Sequence, residues 1–138
     1  MIDIILSIKP RFSNEIHTGR KIVELRKSIG RHFHNSSNIF IYSSSPIKAI
    51  TGRAIIDKID VLSVDEIKSK HLLDICISEQ ELDAYLDKKN HGILIWIKKV
   101  VTFEKPITLE TLKEYNFTAP QSYCCTPNSI KKILESAI

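Results

Sequence analysis

The pattern of apolar and polar residues divides the beginning of the chain into a strand, a helix and a second strand. The nearly continuous apolar run from Ile2 to Ile8 predicts a strand that is buried on both faces. Pro10 suits the first turn of a helix, because that position needs no N–H donor, and Gly19 can end the helix after about Thr18. A second strand is predicted from Lys21 to Lys27.

The middle of the chain is predicted to hold a polar loop and two strands. The loop covers Ser28 to Asn38, and the apolar residues of Asn38 to Ser43 then predict a buried strand. The segment Ser44-Ser45-Pro46 breaks the ladder of backbone hydrogen bonds. Lys48 to Leu62 predicts one long or bulged strand, with the bend at Gly52.

Two helix starts follow, each with the capping-box spacing that satisfies N–H groups of a first turn: Ser63 with Glu66, and Ser78 with Glu81. After His91-Gly92, the run from Ile93 to Val101 predicts a strand inside the sheet. The segment Phe103 to Pro106 ends that strand.

The end of the chain is predicted to be helical around one loop. Thr108 caps a short helix that extends to Glu114, a loop covers Tyr115 to Tyr123, and Thr126-Pro127 begins a terminal helix. This order of elements predicts an α+β fold with a small mixed or closed sheet, rather than a parallel doubly wound sheet.

Composition agrees with one globular domain over residues 1–138, since 43% of the residues are hydrophobic and 26% are charged. No apolar run approaches the roughly 20 residues of a membrane-spanning helix. The three cysteines are an odd number and include the adjacent Cys124 and Cys125, which favours a reducing cytoplasm. Cys76, among apolar neighbours, is predicted to be a core residue. The sequence does not indicate an oligomeric state.

The formal net charge of +4 is distributed unevenly along the chain. Residues 9–31 contain seven bases against two acids, a surplus of five, whereas residues 57–89 contain nine acids against five lysines. From charge alone, the basic segment fits a solvated face as well as a polyanion site. If it binds phosphate, the acidic segment is expected to face away from it.

The segment Gly19 to Arg26 matches GxKxxExR, the signature of ASCH domains in the PUA-like superfamily. The chain resembles the small prokaryotic ASCH proteins labelled predicted transcriptional regulators. This resemblance implies a compact, mixed β-barrel with flanking helices, and a cleft beside the signature that binds RNA or modified nucleobases. Further matching segments are Ser7–Pro10, Ile41–Pro46, His91-Gly92, Phe103–Pro106 and Ala119–Tyr123.

The charged residues around the signature are candidates for one anion site. Lys21 and Arg26 can neutralise phosphate, and Lys9 can reach the same side if the first helix packs on the barrel. Glu24 either holds the arginine in a bidentate pair or accepts hydrogen bonds from a base. Strand alternation places Glu24 and Arg26 on one face and Lys21 on the other.

Two polar segments are further candidates for the cleft. Tyr42, Ser43 and Ser44 end a strand and could supply stacking and hydroxyl donors, although Tyr42 could equally complete the core. Gln121 and Ser122 have side chains that can read a base, and the resemblance places them at the cleft, whereas capping of their loop is the alternative.

Three functions are compatible with these residues. The first is a regulatory module, without a cofactor, in which Lys9, Lys21, Arg26 and Gln121 hold RNA or a nucleotide-derived small molecule. The second is a hydrolase of the ASCH superfamily, either a ribonuclease or an amidohydrolase on acetylated cytidine, with Lys21 and Glu24 as catalytic candidates. Such amidohydrolases have threonine where this chain has Glu24. The third is a protein-interaction domain that uses the acidic helices.

The sequence predicts neither a metal site nor a phosphate loop. The five histidines lack the spacing of a closed metal site, and no Gly-rich phosphate loop or nucleophile elbow is present.

Overall fold

Six strands form one mixed sheet in the order β2-β5-β4-β3-β1-β6. The computed structural model describes residues 3–138, so Ile2 of the first predicted strand lies outside the described residues. Strands β1 and β3 run parallel, and the other neighbours are antiparallel. The strands are β1 (Ile4–Ile8), β2 (Val23–Arg26), β3 (Asn38–Ser43), β4 (Ala49–Ser63), β5 (His91–Thr108) and β6 (Tyr123–Cys125).

Helices pack against this sheet from three parts of the chain. They are α1 (Pro10–His17), α2 (Val64–Lys70), α3 (Leu72–Ile75), α4 (Glu79–Tyr85), α5 (Leu109–Lys113) and α6 (Lys131–Ser136). A 3-10 turn at Asn128–Ile130 precedes α6. We call α2 to α4, which lie between β4 and β5, the helical insertion. Within residues 3–138, no helix is both long and apolar enough to cross a membrane.

Strands β1 and β3 are buried on both faces, as their continuous apolar runs predict. Ile4 and Leu6 of β1 point into one core cluster together with Ile39 of β3. Ile5 and Phe40, their neighbours in sequence, point into a second cluster that the C-terminal helices cover. The α+β class with a mixed sheet and flanking helices is therefore confirmed.

Strands β4 and β5 are long and bent, which allows the sheet to curl. Their pairing register shifts at three places, one of them between Ile50 and Gly52. A Cβ atom at Gly52 would lie 2.4 Å from the carbonyl oxygen of Val101 and 2.6 Å from the ring of His17. Only glycine allows β5 and α1 to approach β4 this closely, and the predicted bend at Gly52 is confirmed.

The helical insertion has its own small core against β2. Ile67, Leu82 and Leu86 pack with Val23 and Leu25 of that strand. The capping prediction holds at both helix starts: the hydroxyl of Ser63 accepts a hydrogen bond from the Glu66 N–H, and Ser78 and Glu81 form a complete capping box. The insertion thereby covers β2, which would otherwise be an open edge.

Five local predictions were wrong. The segment Phe103 to Pro106 does not end its strand, because β5 continues through it and pairs with β4 as far as Thr108. The second strand begins at Val23 instead of Lys21, because the preceding backbone bonds to the ends of α1 and α3. Residues of the predicted loop, Tyr123–Cys125, form β6 by pairing with β1. The terminal helix begins with a 3-10 turn. Cys76 is partly exposed and ends α3 in a left-handed conformation, outside the core of the insertion.

Candidate functional site: a cleft beside the first strands

One cleft of about 1000 Å³ opens between the curled sheet and the helical insertion. Its lining comes from the β1–α1 junction, β2, the β3–β4 loop, the insertion and the loop before β6. Of the site residues predicted from sequence, the structure brings seven to this lining: Lys9, Lys21, Glu24, Arg26, Tyr42, Ser44 and Gln121.

Glu24 is the centre of a buried charge network beside the cleft. Its Oε1 lies 3.4 Å from Lys21 Nζ, and its Oε2 accepts hydrogen bonds from Arg26 Nε at 2.9 Å and Arg26 Nη2 at 2.6 Å. Of the two roles predicted for Glu24, the structure shows the ion pair. Each of its two oxygens faces a cation, so the carboxylate holds Lys21 and Arg26 beside the cleft.

Lys21 lies on the same side as Glu24, contrary to the alternation argument. Because the strand begins two residues later, the Lys21 side chain folds back and is only 2% exposed. Its ammonium donates to the carbonyl oxygen of Ile75 at 2.9 Å and lies 5.0 Å from the centre of the Phe12 ring. Burial lowers the pKa of Lys21, while Glu24 opposes that shift.

Arg26 connects strands that are far apart in the sheet order. Its Nη2 donates to the carbonyl oxygen of Ser7 in β1 at 2.8 Å, and its Nη1 donates to Ser122 Oγ at 3.3 Å. β5, β4 and β3 separate β2 from β1 in the order of strands, so this contact shows that the sheet curls towards closure. Arg26 therefore has protein partners in Glu24, Ser7 and Ser122. Ser122 itself does not line the cleft.

The exposed cations of the cleft are largely ones that the sequence did not single out. Lys9 was predicted and is exposed at the start of α1, but Lys48 and Lys27 were not predicted. Lys48 has a left-handed backbone with φ of 52°, and its carbonyl oxygen accepts a hydrogen bond from the Leu109 N–H. The sequence signal that could have indicated Lys48 is its position shortly after Pro46, in the predicted break between two strands.

The acidic segment does not face away from the basic one. Arg11 of α1 forms a two-pronged ion pair with Glu81 of α4, and both residues line the cleft. The Arg11 guanidinium, helped by the backbone of Ser78, lowers the pKa of Glu81 to about 2. The insertion therefore folds back over the basic segment, which charge counting along the chain could not predict.

The three residues at the end of β3 divide between cleft and core. Tyr42 lines the cleft but is otherwise buried in the second core cluster, so its ring is packed as a core residue. Burial raises the pKa of its phenol. Ser44 lies at the cleft, whereas the structure does not bring Ser43 there. The Ser43 hydroxyl is buried and donates to Ser13 Oγ at 2.8 Å.

Tyr85 is a further cleft residue that the sequence analysis missed. It ends α4 and is 37% exposed, and Lys27 Nζ lies 4.9 Å from the centre of its ring. An aromatic residue at the end of a helix rich in acidic residues is the signal that could have indicated it. Among residues 3–138, no three His, Cys, Asp or Glu side chains are grouped so that they could hold a metal ion.

Comparison with known proteins places this site in a family. The family described as "Domain of unknown function (DUF365)" matches residues 1–115. An ASCH domain-containing ribonuclease of Zymomonas mobilis is 30% identical over 122 residues, which cover 87% of this chain and 81% of that protein. The chain is an ASCH domain protein of the DUF365 family. The resemblance inferred from the GxKxxExR segment is therefore confirmed.

Solved structures agree with this assignment. The crystal structure of ASCH from Zymomonas mobilis matches the present ASCH domain with a TM-score of 0.89 and 28% identity, covering 97% of this chain and 94% of that chain. A mutant of that protein, with phenylalanine in place of a tyrosine, also has a TM-score of 0.89, at 27% identity, and covers 99% of this chain and 98% of that chain.

Proposed function

We propose that this ASCH domain protein is a ribonuclease that binds RNA in the cleft and cleaves it there. The observation that carries the proposal is the pair of exposed lysines, Lys9 and Lys48, on one cleft of about 1000 Å³. Within the described part of the chain, neither lysine is paired with a carboxylate. Both ammonium groups are therefore available to phosphate.

Lys48 and Tyr42 of the cleft suit the chemistry of RNA cleavage. Negative charge develops on the phosphoryl oxygens in the transition state, and a fixed cation stabilises it. The Lys48 carbonyl oxygen accepts a hydrogen bond from the Leu109 N–H, which holds the backbone from which this side chain enters the cleft. The phenol of Tyr42, whose pKa is raised by burial, is an O–H donor on the same cleft and can donate to a phosphoryl or leaving oxygen. The named ribonuclease activity of the Zymomonas mobilis relative supports the same reaction.

The test is cleavage of end-labelled RNA under single-turnover conditions by wild type, Lys48→Gln and Lys99→Gln. Lys99 is a matched control, because it is also exposed, has the same φ of 52° and lies outside the cleft lining. We expect Lys48→Gln to lower the cleavage rate about 100-fold and Lys99→Gln to leave it unchanged. Loss of one phosphate contact should also reduce the slope of log affinity against log salt by about 0.7.

Two results would contradict the proposal. If Lys48→Gln cleaves RNA as fast as Lys99→Gln after the same purification, the activity comes from another site or from a contaminating nuclease. If RNA binding depends on Lys9 and Lys48 but no cleavage occurs, the cleft is a binding site without ribonuclease activity.

The geometry of Lys21 disfavours the alternative in which it catalyses hydrolysis of acetylated cytidine. A catalytic amine must release a proton and reach the substrate, but the Lys21 ammonium is enclosed by Ile75, Glu24 and Phe12. Turnover of acetylated cytidine by the purified protein would overturn this interpretation.

A further inference from the structure

The cleft has an apolar part that the lysines described above do not use. The helical insertion contributes Ile77, Ala84 and Tyr85 to the lining, whereas Lys9 and Lys48 come from the β1–α1 junction and the β3–β4 loop. A nucleotide has the same division, because its base offers a flat apolar face and its phosphate carries the charge. The insertion side of the cleft therefore has the chemistry that suits a base.

Tyr85 is placed as a surface for contact rather than as a core residue. The insertion core is made by Leu82 and Leu86, which are buried, while Tyr85 beside them is 37% exposed. The Tyr85 hydroxyl donates a long hydrogen bond, 3.4 Å, to the carbonyl oxygen of Leu25. This bond holds the ring against β2. An aromatic ring that is already fixed loses little conformational freedom when a base stacks on it.

Lys27 places its cation over the face of this ring. It follows the last residue of β2, it is exposed, and its Nζ lies 4.9 Å from the centre of the Tyr85 ring. A base that stacks on this face displaces the exposed ammonium, which can then pair with the phosphate of the same nucleotide.

We infer that Tyr85 is a base-stacking platform with Lys27 as the contact for the adjoining phosphate. The inference rests on the proposed function and adds a base-binding subsite to it. In a duplex the faces of the bases are stacked on one another, so an aromatic side chain cannot reach them. A strand must therefore be unpaired where it meets Tyr85.

The first experiment measures the dissociation constant of a fluorescent single-stranded RNA by anisotropy for Tyr85→Leu, Tyr85→Phe and Tyr115→Leu. Tyr115 is a matched control, since it is 42% exposed and lies outside the cleft lining. We expect Tyr85→Leu to weaken binding about 5- to 100-fold, because stacking on an aromatic ring is lost. Tyr85→Phe keeps the ring and should remain within about twofold of wild type, as should Tyr115→Leu.

A second experiment changes the RNA, so its main comparison is made with the wild-type protein and does not depend on how a variant folds. Each nucleotide of the RNA is replaced in turn by one that lacks its base. Removal of the base at one position should weaken binding by a factor similar to that of Tyr85→Leu. In the Tyr85→Leu variant, removal of the same base should weaken binding no further. A duplex of the same sequence should bind more weakly at equal salt.

The outcomes separate this inference from the ribonuclease proposal. If Tyr85→Leu binds like Tyr115→Leu while Lys48→Gln still impairs cleavage, the stacking subsite is refuted and the ribonuclease stands. If every base can be removed without effect, or the duplex binds as tightly, the stacking subsite is likewise refuted. If the wild-type protein neither binds nor cleaves RNA, both are refuted.

Discussion

Glu24 holds two buried cations, and its removal should be among the more damaging single changes in the chain. In Glu24→Gln the positive charges of Lys21 and Arg26 would remain close together with no carboxylate between them. Breaking a buried ion pair by removing one partner costs about 3–5 kcal/mol, and we expect a loss near the lower limit. Urea denaturation monitored by circular dichroism measures this loss.

The matched control for this change is Glu15→Gln. Glu15 also pairs with an arginine, Arg20, but that pair is exposed to solvent. Exposed pairs contribute little, so the midpoint of denaturation should move much less than in Glu24→Gln. Equal midpoints in the two variants would show that the Glu24 network does not stabilise the fold.

The residue scale is also where prediction from sequence reached its limit. The GxKxxExR spacing identified Lys21, Glu24 and Arg26, but alternation along a strand assigned Lys21 to the wrong face because the strand begins only at Val23. Ser43 was predicted to lie at the cleft together with Ser44, but its buried hydroxyl donates a hydrogen bond to Ser13. Local periodicity cannot report where a strand starts or which tertiary partner a hydroxyl finds.

At the scale of elements, α1 is fixed to the sheet by a histidine with two hydroxyl partners. His17 Nε2 lies 2.8 Å from Thr51 Oγ1 in β4, and His17 Nδ1 lies 2.7 Å from Thr102 Oγ1 in β5. The ring is half-buried, and burial lowers the pKa of His17 below its usual 6.5. Since α1 begins beside Lys9, this contact also helps to position one wall of the cleft.

The lowered pKa makes the stability of the fold depend on pH through His17. Below about pH 6.5 the unfolded chain binds a proton that the folded chain binds only at lower pH, so the free energy of unfolding falls as pH decreases through this window. We expect wild type to lose more stability than His17→Gln between about pH 7.5 and about pH 5.5 in urea titrations. His34 is exposed, so the stability of His34→Gln should change with pH as that of wild type does. Parallel curves of stability against pH for wild type and His17→Gln would contradict the prediction.

Elements with strong local signals were predicted well, and elements made by tertiary pairing were not. The bounds of β3 and the serine caps at Ser63 and Ser78 agree with the sequence analysis because apolar runs and capping boxes are local. Strand β6 has only three residues and exists because β1 offers it an edge. Its sequence alone does not distinguish it from the loop before it.

At the scale of the whole molecule, the cleft carries the net charge of the chain. Its lining includes six cationic side chains and two carboxylates, a surplus of four, which equals the formal charge of +4 for all 138 residues. The rest of the chain is therefore balanced. Counting charge along the sequence located the basic segment but not this concentration, because Lys48 comes from a different part of the chain and Glu81 comes from the acidic insertion.

Glu81 should act as a competitor of RNA for Arg11. In the free protein it binds the Arg11 guanidinium across the cleft, so a phosphate must displace it before using that cation. Glu81→Gln removes one negative charge and keeps a side chain that can complete the capping box with Ser78. We expect RNA affinity at low salt to increase roughly threefold to tenfold, mainly through faster association.

Glu79→Gln tests whether this effect belongs to the cleft. Glu79 lies in the same helix and carries the same charge, but it lies near Lys68 and outside the cleft lining. If long-range attraction by total charge determined affinity, the two variants would gain equally. If Arg11 is the released contact, only Glu81→Gln gains, and its slope of log affinity against log salt becomes steeper by about 0.7, the value for one additional phosphate contact. Equal slopes for wild type and Glu81→Gln would show that Arg11 does not reach the RNA.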